Sequence, residues 1–163
     1  MPTAHPFAEL TPDVVIDAVE SAGIECDARI LALNSYENRV YQVGVEDSEP
    51  LIAKFYRPER WSTEQILEEH TFTQELADLE IPVVPPLKLG ESTLDEFAGF
   101  RFSLFPRRGG RSPDLNLDNL LIMGRFIGRL HAAGAIKPFQ TRRNLTVGYF
   151  AEDSASFLLR ADF

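Results

Sequence analysis

With 163 residues, 44% of them hydrophobic, the chain has material for one ordinary domain with a real core, which excludes a disordered polymer. The 16 basic against 25 acidic side chains leave a formal charge of -9, a field that repels nucleic-acid backbones and anionic membrane surfaces. A single cysteine, Cys26, excludes an internal disulfide and every cysteine-rich zinc site. A small anion such as a nucleotide is still compatible with this charge, because a few donors at close range outweigh a field screened beyond ~8 Å. The opening MPTAHPFAEL lacks a basic start followed by an apolar stretch, and no run approaches ~18 apolar residues. A cytoplasmic protein without membrane or nucleic-acid partners is therefore expected.

The first element is a helix over DVVIDAVESAG, with Thr11 as N-cap, Pro12 at the first helical position, Leu10 and Val15 at staple spacing and Gly23 past the end. Three short strand-like runs follow, DARILAL, RVYQVGV and PLIAKFY, and predict an antiparallel meander. Along the third, Ile52, Lys54 and Tyr56 fall on one face and Leu51, Ala53 and Phe55 on the other. The connection between the first two runs, within NSYENRVYQV, is polar and has no glycine. Its asparagines tolerate left-handed turns and Ser35 offers a hydroxyl donor.

A second helix starts after RPERW, where Ser62 and Gln65 have capping-box spacing and Trp61 and Ile66 staple spacing. Running to about Leu79, it carries Ile66, Glu69, Phe72 or Thr73, and Leu76 along one stripe, so that a carboxylate lies within the apolar face. The prolines of IPVVPPLKLG end it. Two further strands are expected, at residues 87–89 and in GFRFSLF, before PRRGGRSP punctuates the chain. LNLDNLLIMGRFIGRLHAAG then reads as a helix capped by Asn116 or Asp118 and stopped at Gly134, with Gly124 and Gly128 spaced to admit a neighbouring helix. The tail shows loop signals and then the opening of another helix.

A lysine on the third strand of an antiparallel sheet, with a carboxylate on the following helix, is the layout of a kinase N-lobe. There the lysine holds the α- and β-phosphates of ATP and the glutamate orients it, since phosphoryl transfer depends on positioning and electrostatic stabilisation. Lys54 and Glu69 fit these catalytic roles, with Glu68 as the alternative carboxylate and a snorkelling edge lysine as the plain reading of Lys54. The hairpin Asn34, Ser35, Tyr36 takes the place of the phosphate-covering loop, although a plain hairpin reads the same way. FSLFPRRGG occupies the interlobe hinge, where the Phe105 carbonyl and the Arg107 amide would bond adenine around Pro106, which has no N–H. With Ile52 they complete the candidate nucleotide contacts; a strand end and turn is the competing reading. Arg107, Arg108 and Arg111 read as a solvated face. Asp114 to Asn119 matches a kinase catalytic-loop spacing but lacks the preceding histidine and reads as capping, and the terminal ADF is no metal-binding DFG. His131 reads as a helix-end histidine, and neither His5 nor His70 has a partner at metal-ligand spacing, so no metal ligand is assigned.

In order, LNSYENRVYQV, AKFYRPERW, QILEEHTFTQEL, GFRFSLFP, GGR and GRLH closely resemble the N-terminal half of the bacterial stress-response kinase A family, Ser/Thr protein kinases among the aminoglycoside- and choline-kinase-like phosphotransferases. The resemblance covers nearly all of residues 11–150. It implies an α+β, protein-kinase-like fold: an N-terminal helical segment over 1–24, a five-stranded antiparallel N-lobe over 25–106, and the hinge and opening of a helical C-lobe over 107–163. It also implies ATP with Mg2+, a protein substrate, a role in stress response, and ATP contact by Ser35 and Lys54. The family's H-G-D-x-H-x-G-N catalytic loop does not occur here, so the catalytic base and metal ligands are expected further along and the chain is expected to be an inactive fragment. A small-molecule phosphotransferase of the same fold and a non-catalytic nucleotide-binding module are the competing functions.

Overall fold

The computed structural model describes residues 5–160; the first four residues and the terminal Ala161, Asp162 and Phe163, which hold the ADF triplet, lie outside them. Helix α1 spans Pro12–Ser21, and the extended Thr11 caps it by accepting a hydrogen bond from the Val14 N–H. Leu10 and Val15 are both buried, as staple residues should be, and Gly23 turns the chain at φ +82, in the left-handed region that glycine enters without strain. Strands β1 (Cys26–Leu33), β2 (Arg39–Val45) and β3 (Leu51–Phe55) form the expected meander. Helix α2 (Thr63–Asp78) follows, with both arms of the Ser62/Gln65 capping box in place.

The remaining strands are β4 (Asp95–Phe97) and β5 (Phe100–Pro106), and the sheet runs β1-β2-β3-β5-β4 with antiparallel neighbours. Five strands agree with the sequence reading, but one differs in place. Residues 87–89 form no strand of this sheet: the Leu87 N–H donates to the Leu104 carbonyl, and Leu89 bridges only to Ser92. The prolines just before this run have no N–H to continue a ladder. The edge instead goes to β4, joined to β5 by Ala98 and Gly99 at φ 49 and 79, a two-residue turn whose twist suits a hairpin.

Strand register separates the two faces of the sheet. Tyr41, Ala53 and Leu104 align across three strands, and Phe55 opposes Phe102. Ala53, Leu104, Phe55 and Phe102 are fully buried and pack with Val15, Ala18 and Val19 of α1 into the main core. On the other face Val40, Lys54 and Ser103 align, as do Gln42, Ile52 and Phe105. Towards the end of β3, α2 packs near this face through Ile66, which is buried with Tyr56 and Leu94 beside Trp61 and Leu67.

Residues 107–116 connect β5 to helix α3 (Leu117–Gly134), capped by the Asn116 side chain, which accepts from the Asn119 N–H. A π-helical turn, Gly148–Glu152, runs into α4 (Asp153–Arg160). The sequence spacing of Gly124 and Gly128 anticipates a close helix neighbour; apart from α3's own adjacent backbone, no described atom lies within 4 Å of where a Cβ would stand at either position. Among the described residues no helix is long and apolar enough to cross a membrane.

Candidate functional site

Alternation along β3 sends Ala53 and Phe55 into the core and therefore turns Lys54 to the opposite face. There its ammonium Nζ donates to Glu69 Oε1 at 3.4 Å and lies 4.7 Å from the centre of the Tyr56 ring. The side chains of Lys54 and Glu69 keep 23% and 38% of their surface, so water screens the pair and its main effect is on geometry rather than stability. Across the sheet from Lys54 is Ser103, fully buried, whose Oγ has no hydrogen-bond partner among the described residues.

The two neighbouring carboxylates of α2 have different partners. Glu69 pairs through Oε1 with Lys54 and through Oε2 with Arg142. Glu68 turns to the segment after α3 and accepts from the Gln140, Thr141 and Arg142 backbone N–H groups and from the Thr141 hydroxyl. These donors, led by the Gln140 amide, outweigh partial burial and hold the Glu68 carboxyl down to about 2. Successive backbone N–H groups aimed at one carboxylate form an anion-binding nest.

Tyr56, which faces Lys54, is itself held from below. Its hydroxyl shares a hydrogen bond with His70 Nε2 at 2.7 Å, and His70 Nδ1 is 2.8 Å from Thr93 Oγ1. Burial pushes His70 down from 6.5 to about 4, with Glu69 opposing and Lys54 and Arg142 assisting, so the ring is neutral at pH 7. Burial likewise pushes the Tyr56 phenol well above its usual range, which keeps it protonated. The folded chain thus refuses, until about pH 4, a proton that the unfolded chain accepts near 6.5. His70 therefore lowers stability as pH falls through that window and has no such effect above it. The melting temperature of the wild type should fall more steeply than that of His70→Gln between pH 6.5 and 4; equal slopes would remove this role.

The hairpin at residues 34–38 is anchored by its side chains. Glu37 accepts from the Trp61 indole N–H at 2.8 Å and pairs with Arg60 at 3.3 Å, and Asn38 Oδ1 accepts from the Arg57 N–H at 3.2 Å. None of its residues has a positive φ, so the asparagines' tolerance of left-handed turns is not used. This explains a polar hairpin without glycine: the polar groups tie it to the segment leading into α2. Asn34 and Tyr36 are exposed and Ser35 is half-buried, and among the described residues no hydrogen bond engages these three side chains. Ile52 and Phe105 stand in register and are half-buried. Arg107, the first residue past β5, donates from Nε to Gln42 at 2.9 Å.

Sequence reasoning placed no role on Arg142, His70 or Ser103. Arg142 lies 73 positions from Glu69, and no local pattern announces such a contact. The alternation that set Tyr56 beside Lys54 was a usable signal for the tyrosine, and the buried histidine under it required the helix to be docked. Among the described residues no group of three or more histidine, cysteine or acidic side chains could hold a metal ion. Asp114 and Asn119 are joined through the Asn119 amide and the Asp114 carbonyl, an arrangement of the helix start.

The family model for the phosphotransferase enzyme family matches residues 29–161. Stress response kinase A of Salmonella typhi is 44% identical over 143 residues, which is 87% of this chain and 44% of that protein. Serine/threonine protein kinase RdoA of Salmonella typhimurium shows the same identity and the same shares. Stress response kinase A of Escherichia coli is 45% identical over 133 residues, 81% of this chain and 40% of that protein. The chain thus spans less than half the length of the curated relatives it matches. The solved structure of amicoumacin kinase hAmiN in complex with AMP-PNP, Ca2+ and Ami covers 90% of this chain and 54% of that one, with TM-score 0.66 and 18% identity. At that identity the likeness shows the kinase-like fold alone.

Proposed function

The chain belongs to the phosphotransferase enzyme family, and from that premise we propose that it is the nucleotide-binding half of an ATP-dependent Ser/Thr protein kinase acting in stress response. The observation that carries this reading is the Lys54 ammonium, set beside Glu69 of the neighbouring helix on the same sheet face as the aligned Ile52 and Phe105. In it, Lys54 binds the α- and β-phosphates and Glu69 fixes its direction. Asn34, Ser35 and Tyr36 cover the phosphates, Ile52 flanks the base, and the Phe105 carbonyl and Arg107 amide meet adenine. The reaction moves the γ-phosphoryl group from ATP to an acceptor hydroxyl and releases ADP.

Support comes from the relatives' names, from the kinase-like fold and from the nucleotide analogue held by the amicoumacin kinase. Mg2+ is the divalent ion expected with ATP, but the described residues offer no carboxylate set that fits it, and no step is routed through it. Residues 1–24, 25–106 and 107–163 serve as a helical support, the N-lobe, and the hinge with the opening of the C-lobe. A cytoplasmic setting belongs to the same reading. A small-molecule acceptor is the second reading, favoured by the fold shared with an amicoumacin kinase.

The full-length protein incubated with γ-labelled ATP should transfer label to serine or threonine of a generic protein substrate. Label on an amino alcohol or an aminoglycoside instead would establish the second reading. ATP binding without transfer to any acceptor would leave a non-catalytic module.

A further inference from the structure

Arg142 occupies a position that the Lys54–Glu69 pair does not account for. Its guanidinium lies 4.5 Å from the centre of the Trp61 ring, its Nε donates to the Gln65 carbonyl at 3.2 Å, and its Nη2 reaches Glu69 Oε2. Lys54 takes the other oxygen of the same carboxylate. Two cations therefore share one anion. Lys54 and Arg142 stand against two carboxylates, Glu69 between them and Glu68, which receives the Arg142 backbone N–H, so the group is balanced; without Arg142 it would carry one net negative charge, in a chain whose formal charge is -9.

The segment bearing Arg142 is itself secured. Glu68 receives the backbone N–H groups of Gln140, Thr141 and Arg142 and the Thr141 hydroxyl, and the Gln65 side chain donates to the Thr141 carbonyl at 2.9 Å. Trp61, over which Arg142 lies, also donates its indole N–H to Glu37 in the hairpin. One indole thus touches both the hairpin and the segment after α3.

We propose that Arg142 is a positioning residue of the nucleotide site: it braces Glu69 through the oxygen that Lys54 does not take and offsets the charge of the Glu68 and Glu69 carboxylates, which would otherwise repel a polyphosphate from Lys54. This rests on the nucleotide reading above. It extends that site from the N-lobe elements to a loop beyond α3, so the orientation of α2 and the placement of that loop are coupled.

The test uses the full-length protein and measures calorimetric binding of AMP-PNP and of adenosine, together with kcat, for the wild type, Arg142→Ala and Arg142→Lys. Arg142→Ala should bind AMP-PNP about fivefold more weakly, the effect of removing one partly screened charge at close range. Its adenosine affinity should stay within about twofold, because adenosine has no phosphates for the two carboxylates to repel. Arg142→Lys should recover the AMP-PNP affinity and leave kcat reduced, since a lysine restores charge without the planar fork. Equal losses for both ligands would mark a structural role and overturn the proposal, as would an Arg142→Ala protein unchanged in AMP-PNP affinity and kcat. If Arg142→Ala does not fold, the lysine variant decides, and wild-type kcat there overturns it. A wild type that does not bind AMP-PNP, or Lys54→Ala with undiminished affinity, would instead bring down the nucleotide reading itself.

Discussion

Lys54→Ala in the full-length protein should lower kcat by roughly 100- to 1,000-fold, the scale of removing one preorganised charge from a phosphoryl-transfer site. Its melting temperature should stay close to that of the wild type. The two expectations come from the same geometry. Lys54 points away from the core and shares a partly hydrated ion pair with Glu69, which contributes little to folding. What it offers is a cation whose direction is set by Glu69 and by the Tyr56 ring under it. Glu69 has Arg142 as a second partner, so losing Lys54 does not leave the carboxylate alone. Steady-state kinetics beside a thermal melt measures both quantities, and near-normal turnover in the variant would refute the assignment of Lys54.

Phe55→Ala should have the opposite profile, with a loss of about 3–5 kcal/mol in stability. That is a large share of the roughly 5–15 kcal/mol that holds a typical domain folded. Phe55 is fully buried, stacks on Phe102 with ring centres 5.6 Å apart, and meets Tyr41 edge-on at 6.0 Å. It joins β2, β3 and β5 on the face that α1 covers. Truncation removes apolar surface from the core and leaves a cavity that the sheet cannot close without moving strands. Because Phe55 follows Lys54 directly, its inward packing is also what keeps the lysine turned outward. Denaturant titration with an unchanged m-value would measure the loss. A cost below about 1 kcal/mol would mean that this face is not the packed core described here.

Much of the local structure was legible because its causes are local. Thr11, Pro12 and Gly23 bracket α1, and Ser62 with Gln65 opens α2, each through hydrogen bonds or dihedral preferences that span only a few residues. Strand alternation placed Lys54 and Phe55 on opposite faces for the same reason. The misplaced strand at residues 87–89 shows where such reasoning stops: the residues have strand-like composition, but a strand needs a run of paired groups, and a single bond from the Leu87 N–H to the Leu104 carbonyl reaches β5 while the Ala98–Gly99 hairpin pairs β4 with its residues 100–102. The hairpin at residues 34–38 shows another limit. Its asparagines looked like turn formers, whereas Asn38 and Glu37 serve as anchors to Arg57 and Trp61, 19 and 24 positions along the chain.

By itself, then, the order of residues determined the helix boundaries, the two faces of the strands and the presence of a lysine and a helical carboxylate suited to one another, since each depends on steric and hydrogen-bonding rules acting over a single turn or strand. Only the tertiary structure decided which carboxylate Lys54 meets, that Tyr56 rests on a neutral buried His70, and that Arg142 completes the charge group around Glu69. Those pairings depend on how α2 docks on the sheet and where the loop after α3 returns. Chain distance carries no information about either: they are settled by packing summed over many residues, each of which contributes too little to be read alone.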